Sequence, residues 1–113
     1  MAQTFIKTAR YEAAAAVKSA VISAVPATLV DIQVENVTAA VKYVQLFNAT
    51  AVPADTAVPT MCFAIPASGT LNISLNGVPE RFDTGICIAS SSTQATKTLS
   101  ATSDIFFTAR TVA

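Results

Sequence analysis

Residues 27–37 read ATLVDIQVENV. Val30, Ile32 and Val34 fall on one side of an extended chain and Asp31, Gln33 and Glu35 on the other, the alternation of an antiparallel strand with one dry and one wet face. The next segment, VKYVQLFN (41–48), carries apolar groups on both sides, Tyr43 and Phe47 on one and Val44 and Leu46 on the other. A strand dry on both faces belongs in the middle of a sheet. The short loop between the two strands, residues 36–40, predicts a hairpin.

The pattern continues outward in both directions. Upstream, VKSAVISAV (17–25) has β-branched residues without helical phasing and stops at Pro26, which lacks the donor that a ladder needs. Downstream, ATAVPADTAVP is a loop signal, and TMCFAI (60–65), bounded by Pro59 and Pro66, reads as a short buried strand. Ser68 and Gly69 make a turn into TLNISLN, where Leu71, Ile73 and Leu75 alternate with Asn72, Ser74 and Asn76. Asn76 and Gly77 favour a reversal, widened by the Val-Pro that follows. Phe82, Ile86 and Ile88 mark another strand, with Gly85 allowing a bend or bulge. The stretch SSSTQATKTLSATS reads as a long surface loop, and DIFFTARTVA closes the fold with Ile105, Phe107 and Ala109 opposing Phe106, Thr108 and Arg110. About eight short strands separated by turns predict an all-β domain, an antiparallel β-sandwich.

Ahead of this domain, residues 1–16 contain the alanine tract 13–16, which favours helix. Lys18 interrupts the apolar stripe, however, and no good capping residue is present, so an extended N-terminal arm is the preferred reading. Its large apolar groups, Phe5 and Ile6, stay dry only against its own domain or a neighbour. The division is therefore an arm over 1–16 and a single domain over 17–113, a size that suits one core.

The chain is 52% hydrophobic but only 12% charged, against about a quarter in an ordinary soluble domain, so Ala, Ser, Thr, Asn and Gln must cover its surface. Seven basic and seven acidic residues cancel, which removes the self-repulsion that keeps monomers apart and points to assembly. The basic residues are scattered and form no phosphate-binding tract, which argues against nucleic acid as a partner. Apolar runs end well short of the roughly twenty residues that cross a bilayer, and the first residues lack the order of a signal peptide, which together predict a cytoplasmic origin and no membrane partner.

With no histidine, triads built on Ser-His or Cys-His are excluded, and Cys62 and Cys87 have no companions for a zinc site. Both read as buried small hydrophobes. Glu80 and Asp83 flank Arg81, which suggests a turn with a local ion pair rather than the carboxylate couple of a glycoside hydrolase. Asp31 and Glu35 read as solvated. The loop NGVPERFDTG has no phosphate-cradling pattern. Sequons at Asn36, Asn48 and Asn72 read as chance matches in a chain rich in Asn, Ser and Thr. Of the aromatics, Tyr11 and Tyr43 are the candidates for exposure. No catalytic, cofactor or metal site is predicted, and the chain reads as a non-enzyme.

The succession LVDIQVEN, YVQLFNAT, a Thr-Ala-Val-Pro step, FAIPASG and RFDTGICIAS resembles small virion proteins encoded among the structural genes of tailed bacteriophages. The likeness spans Val17 to Ala109; after Ser90 the chain keeps little of the Gly-rich, Asp-rich run usual in that group. The resemblance implies a jelly-roll-like sandwich, often a homotrimer, that decorates the outside of a phage capsid after being made in the host cytoplasm. Its partners would be the major capsid protein and copies of itself. The arm, through Phe5, Ile6, Arg10 and Tyr11, would lie across a neighbour and cement it. The alternative is a tail or head fibre module that binds a host-surface carbohydrate or receptor through Ser90–Ser103.

Overall fold

The computed structural model describes residues 8–12, 15–75 and 80–112. Among these residues there are nine strands and no helix: β1 (Thr8–Glu12), β2 (Ser19–Ser23), β3 (Ala27–Asn36), β4 (Lys42–Phe47), β5 (Met61–Ile65), β6 (Thr70–Ser74), β7 (Glu80–Phe82), β8 (Ile86–Ser91) and β9 (Ile105–Val112). They form two antiparallel sheets. The first runs β1-β9-β3-β6 with β7 also paired to β3, and the second runs β2-β8-β4-β5. Setting β7 aside, this order is that of an eight-stranded jelly roll, in which the chain passes repeatedly from one sheet to the other.

The expected hairpin of residues 27–36 and 41–48 does not form, because β3 belongs to the first sheet and β4 to the second. In the second sheet β4 is flanked by β5 and β8, which suits a strand whose residues from Val44 to Phe47 are all buried. TMCFAI is a strand, but it lies at an edge rather than in the interior: in β5 only Ile65 is fully buried and Ala64 is exposed. The reversal expected at Asn76–Gly77 lies outside the described residues.

β3 shows why simple alternation misreads its own inner face. A bulge between Leu29 and Asp31 displaces Val30 from the ladder with β9 and shifts the phase by one residue. The inward set is therefore Ala27 and Leu29 before the bulge, then Ile32 and Val34 after it, while Val30 is only half-buried. These residues meet Phe107, Ala109 and Phe82 from their own sheet, and Val44, Leu46, Ile65, Ile86 and Ile88 from the other, in one continuous core. Truncating Phe107 to Ala at its centre would remove about 3–5 kcal/mol of stability.

The segment read as an arm contributes β1, an edge strand of the first sheet paired with β9 from Thr8↔Val112 to Glu12↔Thr108. Over Thr8–Glu12 it is extended, as expected, and lies on its own domain. The chain then crosses to the second sheet through a bridge between Val17 and Ile105.

The two outer faces are treated differently. Outside the second sheet, Phe47, Cys87 and Ala89 form a small second core with Ala49, Val52, Ala57 and Leu99, carried by the loops that follow β4 and β8. Those loops are joined to each other by backbone bonds from Thr56 N to Lys97 O and from Lys97 N to Ala57 O, and by the Lys97–Asp55 ion pair at 2.8 Å. The positive φ of Thr56, costly for a β-branched residue, occurs at this junction. The first sheet has no comparable cover among the described residues.

Gly85 sits where the backbone is tightest. A Cβ placed there would lie 2.6 Å from Ala49 O and 2.7 Å from Ser23 O, both main-chain atoms. Gly85→Ala must push β2 or the loop after β4 away from β8. A loss of about 2 kcal/mol is expected, read as a lower midpoint in urea denaturation.

Candidate functional site

The described candidate residues do not share a surface. Phe5 and Ile6 lie outside the described residues. Arg10 is exposed on the outer face of the first sheet, whereas its neighbour Tyr11 turns inward and stacks on Phe107 with ring centroids 5.1 Å apart and planes 2° from parallel. Adjacent residues of a strand point to opposite faces, so an arm that joins a sheet cannot present both.

An uncharged surface lies at one end of the sandwich, where residues 37–41 lead from β3 to β4 and residues 66–69 join β5 to β6. Val37 and Val41 are each about half exposed, and Ala39, Ala40, Pro66 and Ala67 are exposed beside them. Neither loop carries a formal charge.

Apolar loops of this kind need a polar scaffold, and Asn36 supplies it. Fully buried, its Nδ2 donates to Ala40 O at 2.8 Å and to Ile65 O and Pro66 O at 3.1 Å each. Its Oδ1 accepts from Thr38 N at 3.0 Å and Thr38 Oγ1 at 2.7 Å. The two loops are tied further by Ser68 N to Thr38 O and by Asn36 N to Gly69 O. One amide thus fixes both loops and joins the ends of both sheets. The sequon Asn36-Val37-Thr38 is an internal lock. Asn48, in the second sequon, likewise accepts from Thr84 N at 2.8 Å and braces the turn before β8.

Beneath the same end lies a buried ion pair. Asp104, fully buried, meets Lys42 Nζ at 3.3 Å and accepts from Ser90 Oγ at 3.3 Å and from Thr102 Oγ1. Burial pushes the Asp104 carboxyl up, but the hydrogen bonds from Ser100, Thr102 and Lys42, with the Lys42 charge, together hold it below the ordinary carboxylate value.

The Ser/Thr-rich stretch is less open than a surface loop suggests. Ser90, Ser91, Lys97 and Ser100 are buried. The buried Gln45 amide donates to Thr93 O, Gln94 O and Thr96 O, and Ser91 Oγ accepts from Thr93 N and Thr98 N. Many of its polar groups are thus spent on its own backbone. Arg81 and Asp83 form the expected local pair at 3.7 Å, both well exposed. Asp31, expected to be solvated, is instead held by Arg110. Cys62 and Cys87 are free thiols; burial pushes both up, opposed at Cys62 by Gln45 alongside. Among the described residues, no three His, Cys, Asp or Glu side chains gather at metal-binding spacing.

The role of Asn36 had one legible signal, a polar residue ending an alternating strand just before an Ala-rich turn. Nothing in the sequence places Ile65 and Pro66 within its reach. No protein-family model, curated protein or solved structure matches this chain.

Two outcomes follow. Asn36→Ala would remove the buried amide that links the Ala40, Ile65 and Pro66 carbonyls to Thr38 and cost about 1–3 kcal/mol, measured by denaturant titration. Because the folded-state pKa of Asp104 is depressed, its contribution is fully present above the unfolded aspartate value of about 3.9 and fades as pH falls through the folded value. Asp104→Asn should lower stability at neutral pH by about 3 kcal/mol, since it leaves Lys42 without its charge partner, and should flatten the acid limb of a stability-versus-pH curve.

Proposed function

We propose that this chain is a structural protein of a tailed-phage particle that decorates the outer surface of the capsid and stabilises it, with the major capsid protein and copies of itself, in threes, as partners. The observation that carries this reading is the rigid, uncharged, apolar end built around Asn36. It can bury Val37, Val41 and Pro66 against a shell without first ordering a loop, and prior rigidity lowers the cost of association. The low charge of the chain and its resemblance to small phage virion proteins support the same reading. Jelly rolls recur in viral capsid domains, which adds an analogy of fold alone.

The anchoring assigned to the N-terminal arm changes in form. Thr8–Glu12 is engaged with β9, so a cementing contact beyond the domain falls to Phe5 and Ile6. In the proposed arrangement the apolar end seats the domain, and these two side chains add burial on a neighbour.

The double change Val37→Asp and Val41→Asp alters exposed positions and should leave the thermal midpoint within a degree or two, in keeping with the small effects of surface substitutions. Added to capsids stripped of the native protein, it should fail to bind where the unaltered chain restores full occupancy. Gel densitometry of whole particles gives the decisive number. Copies comparable to the major capsid protein support decoration, whereas a handful per particle would place the chain in the tail or a fibre and end this proposal.

A further inference from the structure

We infer that the bare outer face of the first sheet binds a neutral oligosaccharide. The site differs from the Ser/Thr-rich loop, lies on the flank of the sandwich rather than at its apolar end, and does not depend on decoration of a capsid.

A groove of about 540 Å³ crosses this face. The strand register arranges its side chains in rows. In the first row Arg10 stands opposite Arg110, Arg110 opposite Asp31, and Asp31 opposite Ser74. In the second, Thr108 stands opposite Gln33 and Gln33 opposite Asn72. The groove continues past Gln33 and Thr108 into a smaller hollow of about 170 Å³, where Phe106 stands opposite Glu35. From Arg110 to Phe106 along β9 is about 13 Å, room for a short oligosaccharide. Ile32 and Ile73 also border the groove, but they pack against the core, so on this side they contribute backbone.

The balance of donors and acceptors selects the ligand class. Gln33 and Asn72 each offer both, Ser74 and Thr108 do the same, Asp31 only accepts and the guanidinium groups only donate. An anion uses donors alone and would face Asp31 and the amide oxygens. An apolar ligand would cover the amides of Gln33 and Asn72 and the hydroxyls of Ser74 and Thr108 without offering them a hydrogen bond. Sugar hydroxyls donate and accept at once and match the mixture. Arg110 is bound to Asp31 through two hydrogen bonds, Nε to Oδ1 at 2.9 Å and Nη2 to Oδ2, which fixes a planar pair of known orientation on the groove floor. Phe106, half-buried on an outward position, supplies an apolar ring at the far end against which a pyranose can stack.

The test is NMR titration of the labelled full chain with neutral trisaccharides built from glucose, galactose, mannose or N-acetylglucosamine, beside an acidic control, trigalacturonic acid. Binding of at least one neutral trisaccharide is expected, with shifts confined to β1, β3, β6 and β9 and affinity nearly unchanged between low and high salt. Asn72→Ala and Phe106→Ala should each weaken it about tenfold. Asn72 is exposed on an edge strand, so its variant keeps the fold if Phe106→Ala does not, and a thermal melt checks both. Absence of shifts with every neutral probe would overturn the inference, as would binding of the acidic probe alone, shifts centred on residues 92–103, or affinity unaffected by Asn72→Ala.

Discussion

At one end the two sheets of this protein are tied together by a buried carboxamide. Asn36 closes β3 in the first sheet, and its amide reaches the carbonyls that end β5 in the second and the loop that leads into β4. A sandwich core is non-directional; hydrophobic burial alone would tolerate sliding of one sheet over the other. A fully bonded polar group at the seam fixes the position, because displacement leaves buried donors and acceptors unpaired. The crossover from β3 to β4, the loop between β5 and β6 and the end of β5 all meet at this contact.

A second organising feature is the unequal dressing of the outer faces. The loops after β4 and β8 fold over the second sheet and bury Phe47, Cys87 and Ala89 there, so the central strands β4 and β8 are dry on both sides. This is how a small chain with few charges makes use of its apolar content. It also leaves the first sheet with an open polar flank and the sandwich with an uncharged apolar end, two surfaces of different chemistry on one rigid body. The proposed roles divide along that line, attachment at the end and recognition on the flank.

Polar residues in this molecule work largely inside it. Gln45 holds the Ser/Thr-rich loop, Lys97 is buried against Asp55, and Asp104 is buried with Lys42. In a domain of 12% charged residues the Lys97–Asp55 and Lys42–Asp104 pairs serve as fasteners where loops meet the sheets and other partners for buried polar groups are scarce.

Much of the architecture was legible in periodicity. The period-two pattern of residues 27–37, 70–76 and 104–113 gave antiparallel strands with the correct inner faces in β6 and β9, and the two-sided apolar content of residues 41–48 gave β4 its central place. Tyr11 and Tyr43, not Phe106, were the aromatics expected to be exposed, yet Tyr11 packs inward, and the alternation that buries Phe107 turns Phe106 outward. Alternation records only which way a side chain points relative to its neighbours along the chain. It carries no information on which strand lies alongside, so the hairpin of β3 and β4 and the interior position of β5 were misread, and the bulge at Val30 shifted a face that had looked regular. Local sequence determined that this chain makes strands and roughly where they begin and end. The tertiary structure alone decided which sheet each strand joins and which polar groups become locks, because those choices rest on contacts such as Asn36 to Ile65 and Gln45 to Thr93 between residues far apart in the chain.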